Sequence, residues 1–188
     1  MTRLLRLAAA FWLLASGAAA LAFPDLYVMR HLEHRGEGSH ARLSEIGANS
    51  ARRLAIGFPL PPPAAIYTAT EQVSLDSAAW LAVELGVTPT LFDPAKPEAL
   101  MARLATESGP VLVVASKDTA AALVARASGA AAPAIAEGTF GEIWAIAARD
   151  RAVTRRVLAG PRVAADQRST STKDWLDEGE VAERQSAK

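Results

Sequence analysis

From Asp25 onward the chain alternates short apolar runs with longer stretches whose apolar residues recur at helical spacing. DLYVM (Asp25–Met29) is a β-type run that stops at Arg30. Ser44 is placed to cap a helix whose apolar positions Ile46, Ala51, Leu54 and Ala55 fall near one face. GFPLPPP then breaks the chain, since proline removes amide donors and fixes φ. AAIYT reads as a second strand, Glu71–Leu85 as a helix ending at Gly86, and VTPTLF as a weak third strand. Pro97–Glu107 is helical with proline in its first turn. VLVVA (Val111–Ala115) is a continuous β-branched run, the pattern of a central strand buried on both faces. Asp118–Ser128 is a helix, with Asp118 as its cap and Gly129 after its end. EIWAIA and AVTRRVL form a closing hairpin around Arg149-Asp150.

This alternation predicts a three-layer α/β sandwich with a mostly parallel central sheet. Ligands in such folds bind beyond the carboxyl ends of the strands. The first strand ends at Arg30 and His31, and the VLVVA strand ends at Ser116 and Lys117. Those two loops are where chemistry is expected.

The two ends of the chain follow other patterns. Arg3 and Arg6, the apolar Leu7–Leu14 and the small residues of ASGAAALA match an export signal, with Ala20-Leu21-Ala22 as the cleavage triplet. Residues 1–22 are therefore expected to be removed, leaving a domain over 23–160 in the periplasm or outside the cell, with no stable membrane insertion. An uncut anchor is the alternative, because the apolar run from Leu7 to Phe23 is 17 residues long, at the lower edge of a spanning length. The tail over 161–188 is polar, lacks a sustained apolar period and is expected to be disordered.

Charge narrows the partners. The chain has 20 basic and 20 acidic residues, and loss of Arg3 and Arg6 would leave 18 basic against 20 acidic. No net field draws it to nucleic acid or to an anionic membrane. The absence of cysteine excludes disulfides, thiolate metal sites and cysteine catalysis. Its 3 histidines, His31, His34 and His40, all lie within one stretch of ten residues. With Glu33 and Glu37 they have a spacing that zinc could use, but the glycines around them give no fixed geometry; neither metal nor cofactor is expected. The plain reading of His34 and His40 is solvated loop residues. Trp80 and Trp144 read as core aromatics, the pairs Arg52-Arg53 and Arg155-Arg156 as solvated faces, and PLPPP as a spacer more readily than a polyproline ligand.

MRH after an initial strand, LSEIGANSARRLA, IYTATEQVSLDSAAWLAVELG and VLVVASKDTAAALVARASG together resemble the histidine phosphatase (phosphoglycerate-mutase-like) superfamily. The likeness runs in order from about Leu26 to Leu158, and EGTFGEIWAIA resembles the closing strands of small exported members. In that family the pattern opens with Arg-His-Gly and its histidine is phosphorylated during turnover. A Ser-Ser-Pro-x-x-Arg-Ala segment follows the second strand, and a later strand ends in Gly-His-Ser. The resemblance implies His31 as nucleophile and Arg30 as phosphate anchor. A neutral imidazole can hold a phosphoryl group covalently, dividing one displacement into two. Guanidinium forks and a second imidazole spread the charge of the transferring group.

Several family positions are changed here. Leu32 stands in place of the glycine, and Thr68, Ala69 and Thr70 in place of the serines and proline. Val73 falls where the second arginine belongs, and Ser116 where the second histidine belongs. Each lost donor at a transferring phosphoryl group costs roughly two orders of magnitude in rate. The sequence thus implies an exported member that is non-catalytic or strongly impaired. It would keep Arg30 and His31, with Ser116 and Lys117 at the phosphate, and bind a phosphorylated small molecule or phosphoprotein. The alternative is an active phosphomonoesterase in which Lys117 or His34 replaces the missing donor. Glu71 is a candidate acid, although an acidic residue opening a helix is commonly there for the helix dipole.

Overall fold

The computed structural model of the protein describes residues 23–158. The export signal expected over 1–22 and the tail expected over 161–188 lie outside the described residues. Thirteen short elements follow one another: β1 (Leu26–Arg30), β2 (His34–Arg35), a 3-10 turn (Gly38–His40), β3 (Arg42–Leu43), α1 (Glu45–Ile56), β4 (Ala65–Ala69), α2 (Gln72–Leu85), β5 (Thr90–Phe92), α3 (Pro97–Leu104), β6 (Val111–Ala115), α4 (Lys117–Ser128), β7 (Glu142–Ile146) and β8 (Val153–Val157).

Six strands form one sheet in the order β5-β4-β6-β1-β7-β8, and β2 pairs with β3 in a small separate ribbon. The strands β5, β4, β6 and β1 run parallel. β7 runs antiparallel to β1, and β8 antiparallel to β7. The apolar runs VLVVA and LYVMR lie side by side at the centre, with every residue buried. Alternate strand residues feed opposite faces. Leu26, Val28, Val111 and Val113 pack with Leu100 and Leu104 of α3 and Leu123 and Val124 of α4. Tyr27, Met29, Leu112 and Val114 pack with Leu54 of α1 and Leu81 of α2. Helices on both faces of a mostly parallel sheet make the three-layer sandwich that the alternation predicts. No helix among the described residues is long and apolar enough to cross a membrane.

Local chemistry moves several boundaries. β1 runs one residue further than its apolar pattern, because Arg30 still pairs with Ala115. α3 stops at Leu104 rather than Glu107: the amides of Thr106 and Glu107 turn back to the carbonyls of Arg103 and Leu104 ahead of Gly109-Pro110. Ser116, not Asp118, caps α4, since its hydroxyl accepts the Thr119 amide while Asp118 lies in the first turn. Trp144 is a core residue, but Trp80 is half exposed on α2 with the Arg52 guanidinium 5.3 Å from its ring. Arg155 and Arg156 are exposed on β8 as expected, and Arg155 also reaches Glu142 at 2.7 Å.

Candidate functional site

β1 delivers Arg30 and His31 to the carboxyl edge of the sheet. Arg30 is the last residue in register with β6, and the His31 amide continues the ladder to the Ala115 carbonyl at 2.8 Å. His31 and Ser116 therefore occupy neighbouring positions at the same edge.

The Arg30 guanidinium is almost wholly covered. Its Nη1 donates to the backbone carbonyls of Ala136 (3.3 Å), Glu137 (2.6 Å) and Thr139 (3.3 Å). The Phe140 ring lies 4.2 Å from its central carbon, within cation–π range. Nη2 lies 3.8 Å from the Glu137 carboxylate, and Nε is buried with no partner. Burial pulls its pKa down, against the opposing fields of Glu137 and Asp118, but a guanidinium stays charged at any ordinary pH.

His31 is also buried. Its Nδ1 lies 3.1 Å from the Leu32 carbonyl. A carbonyl only accepts, so Nδ1 carries the proton and the lone pair resides on Nε2. Loss of hydration lowers its pKa below the usual 6.5; the Leu32 carbonyl opposes this, His34 and Arg30 add to it, and Glu71 works against it. The result is a neutral imidazole with an available Nε2 lone pair, the state a phosphoryl acceptor requires. His34 packs edge-on against it, with ring centres 4.7 Å apart, and Phe140 flanks both rings. The solvated-loop expectation fails for His34: the β2–β3 ribbon turns its ring inward and buries Nδ1 without a partner. His40 is exposed. Among the described residues no three metal-ligating side chains converge, so the zinc spacing has no geometric counterpart.

The loop after β1 is fastened to both α1 and α2. The Leu32 amide donates to Ser77 Oγ at 2.8 Å, and Ser77 Oγ donates to the Val73 carbonyl at 2.7 Å. The Leu32 side chain is fully buried in the core beneath α1 and α2. This is the physical content of leucine replacing glycine: the side chain serves the core. Ser44 Oγ donates to Glu33 at 2.9 Å and accepts the Gly47 amide at 3.0 Å, while the Ser44 amide reaches the Glu33 carbonyl. A Cβ on Gly47 would fall 2.0 Å from that carbonyl oxygen, so only glycine admits the close approach of α1 to the loop.

The other half of the site is built differently. Ser116 Oγ lies 3.4 Å from the Thr119 amide and 2.9 Å from its hydroxyl, so it acts as a helix cap. Lys117 Nζ makes a close ion pair with Glu137 and lies 3.7 Å from Asp118. The hydrogen bond to Glu137 raises the Lys117 pKa, and the same bond lowers that of Glu137. Arg30 and Lys117, expected together from the strand order, are thus joined by one carboxylate. Val73 is buried in the first turn of α2. Glu71 immediately precedes that helix and makes no side-chain cap.

Among the described residues six side-chain polar atoms are buried without a partner, and five cluster in sequence at this end of the sheet: Arg30 Nε, His34 Nδ1, Thr68 Oγ1, Glu71 Oε2 and Ser74 Oγ. Buried polar atoms normally have partners, and these five lie at the end of β1, on the first loop and at the β4–α2 junction.

Sequence reasoning missed Glu137 and Phe140. Both lie in the EGTFGEIWAIA segment, which by itself gives them no role, and topology brings them in: because β7 is antiparallel to β1, the segment entering β7 arrives over the carboxyl end of β1. The resemblance of EGTFGEIWAIA and the expectation of a closing hairpin held the available clues.

No family model and no curated protein matches the sequence. Solved structures do. A mycobacterial glucosyl-3-phosphoglycerate phosphatase superposes with a TM-score of 0.56 at 16% identity, over 71% of this chain and 96% of that one. The protein histidine phosphatase SixA, solved with tungstate, gives 0.57 at 15% identity over 71% and 96%. A putative alpha-ribazole-5'-P phosphatase from Escherichia coli K-12 gives 0.55 at 15% identity over 72% and 96%. At such identities the likeness shows the fold alone, and that fold is the one these histidine phosphatases share.

Proposed function

We propose that the protein is exported and binds a phosphorylated small molecule or phosphoprotein at Arg30, His31 and Lys117, hydrolysing it very slowly or not at all. One observation carries this reading: the positions that would complete a phosphate cage serve the fold instead. Ser116 caps α4, Val73 is buried in α2, and Leu32 fills the core. Anion affinity would come from Arg30 and Lys117, whose positive charges lie on either side of one carboxylate. What Val73 and Ser116 do not supply is the second guanidinium and the second imidazole expected at those positions for the transition state. Calorimetric titration with tungstate or phosphate, alongside turnover of an aryl phosphate, tests the reading. Binding that is lost on Arg30→Ala, with turnover near background, agrees with it; absence of binding counts against it.

The neutral, Nε2-available His31 favours a second reading, a working phosphomonoesterase with Lys117 or His34 as substitute donor. Robust turnover lost on His31→Ala would establish it.

Export rests on the sequence pattern of residues 1–22. Phe23, the residue after the expected cleavage triplet, is buried in the core, with the Arg151 guanidinium 3.9 Å from its ring. Cleavage after Ala22 would leave every described residue in place. N-terminal sequencing of the mature protein should read Phe23 first; an intact Met1 would contradict export with cleavage.

A further inference from the structure

Glu137 stands where a ligand anion would stand. Its carboxylate meets Lys117 Nζ on one side and lies 3.8 Å from Arg30 Nη2 on the other, so it faces both cations of the candidate site. Its side chain is 79% exposed. Its remaining hold on Arg30 is through its backbone carbonyl at 2.6 Å, in company with those of Ala136 and Thr139. Backbone and side chain therefore have separable roles. The carbonyls and the Phe140 ring fix the guanidinium, and the carboxylate, with Asp118 at 3.7 Å from Lys117 Nζ, offsets the charge of the two cations.

We propose that Glu137 is a resident counter-anion of the phosphate site, which an incoming phosphoryl group displaces by swinging the side chain into solvent. This rests on the anion-binding reading above and adds its control. Exposed ion pairs are weak and side-chain motion at the surface is fast, so displacement needs no backbone movement. The three carbonyl bonds to Arg30 stay intact during the exchange. The exchange also sets a threshold: a ligand gains only what its interaction with Arg30 and Lys117 exceeds that of a carboxylate. A dianion passes easily, whereas a monoanion merely replaces like with like.

Displacement makes a quantitative statement. Removing the resident charge abolishes one fixed cost for every ligand, so all affinities should rise by the same factor. A carboxylate that stayed in place and repelled would instead penalise a dianion about twice as much, on a logarithmic scale, as a monoanion. The test is calorimetric titration of the full chain and its Glu137→Gln variant with inorganic phosphate and with dimethyl phosphate. The variant should bind phosphate about tenfold more tightly, the effect of removing one charge near a screened surface. It should bind dimethyl phosphate more tightly by the same factor. Glu137→Ala should behave alike, since the backbone carbonyl is kept. Unchanged or weakened phosphate binding in both variants, with the parent binding normally, overturns the counter-anion while leaving the anion site standing. A much larger gain for phosphate than for dimethyl phosphate overturns displacement in favour of fixed repulsion. No binding by parent or variants, all folded, sinks the anion-binding reading itself and the counter-anion with it.

Discussion

Two loops meet at the carboxyl edge of the central sheet, and they are built to opposite ends. The loop after β1 holds its chemistry under constraint. Arg30 is gripped by three carbonyls and an aromatic ring, His31 is fixed in one tautomer, and Leu32, Glu33 and Gly47 lock the backbone to α1 and α2. The turn after β6 directs its polar groups to structure: Ser116 caps α4 and Lys117 pairs with a carboxylate. On the proposed reading, a posed imidazole and charge stabilisation would be separable properties of this fold. The first depends on local packing, whereas stabilising a dianion needs donors converging from several loops.

The contrast can be broken most severely at Leu32. If leucine is there for the core, Leu32→Ala should cost about 2–5 kcal/mol by emptying a fully buried position. Chemical denaturation would measure it, and a cost under about 0.5 kcal/mol would return Leu32 to the pocket. The same contrast can be reversed by giving the second half of the site its missing donors. Ser116→His with Val73→Arg should raise aryl phosphate turnover by roughly a hundredfold or more, beyond the product of the single changes, because such groups act as a unit. Steady-state kinetics with His31→Ala as control would show it. Gains that simply multiply would mean the two positions do not share a transition state.

A smaller effect sharpens the first half. Burial holds the folded-state pKa of His31 below its ordinary 6.5, so the unfolded chain takes up the proton first as pH falls. The stability associated with the neutral ring is intact above about 6.5 and declines as pH drops through the depressed folded value. The melting temperature of the parent should therefore fall more between pH 7.5 and 5 than that of His31→Gln. Equal slopes would mean that His31 is not desolvated.

The fold was legible because VLVVA, LYVM and the capped helices each point to one local answer, and those answers agree in one architecture. Strand ends then gave Arg30, His31, Ser116 and Lys117 their place, since a parallel sheet gathers its carboxyl ends along one edge. The rest of the site was hidden for a physical reason. Glu137 and Phe140 lie in a coil more than one hundred residues after Arg30 and reach it only through the antiparallel return of β7. The inward turn of His34 depends on a two-residue ribbon too short to leave a hydrophobic period. The role of Leu32 was invisible because an apolar residue in a loop has no period to follow; only the α1–α2 core above it shows why it is there.

The separation of nucleophile from charge cage is tested most directly by rapid alkaline quench of the protein with an aryl phosphate, followed by intact mass and peptide mapping for phosphate on His31. An imidazole that is correctly posed but lacks transition-state stabilisation should remain unmodified over an hour, while titration shows the site occupied by phosphate. Stoichiometric phosphohistidine at His31, formed within seconds and absent in His31→Ala, would contradict it.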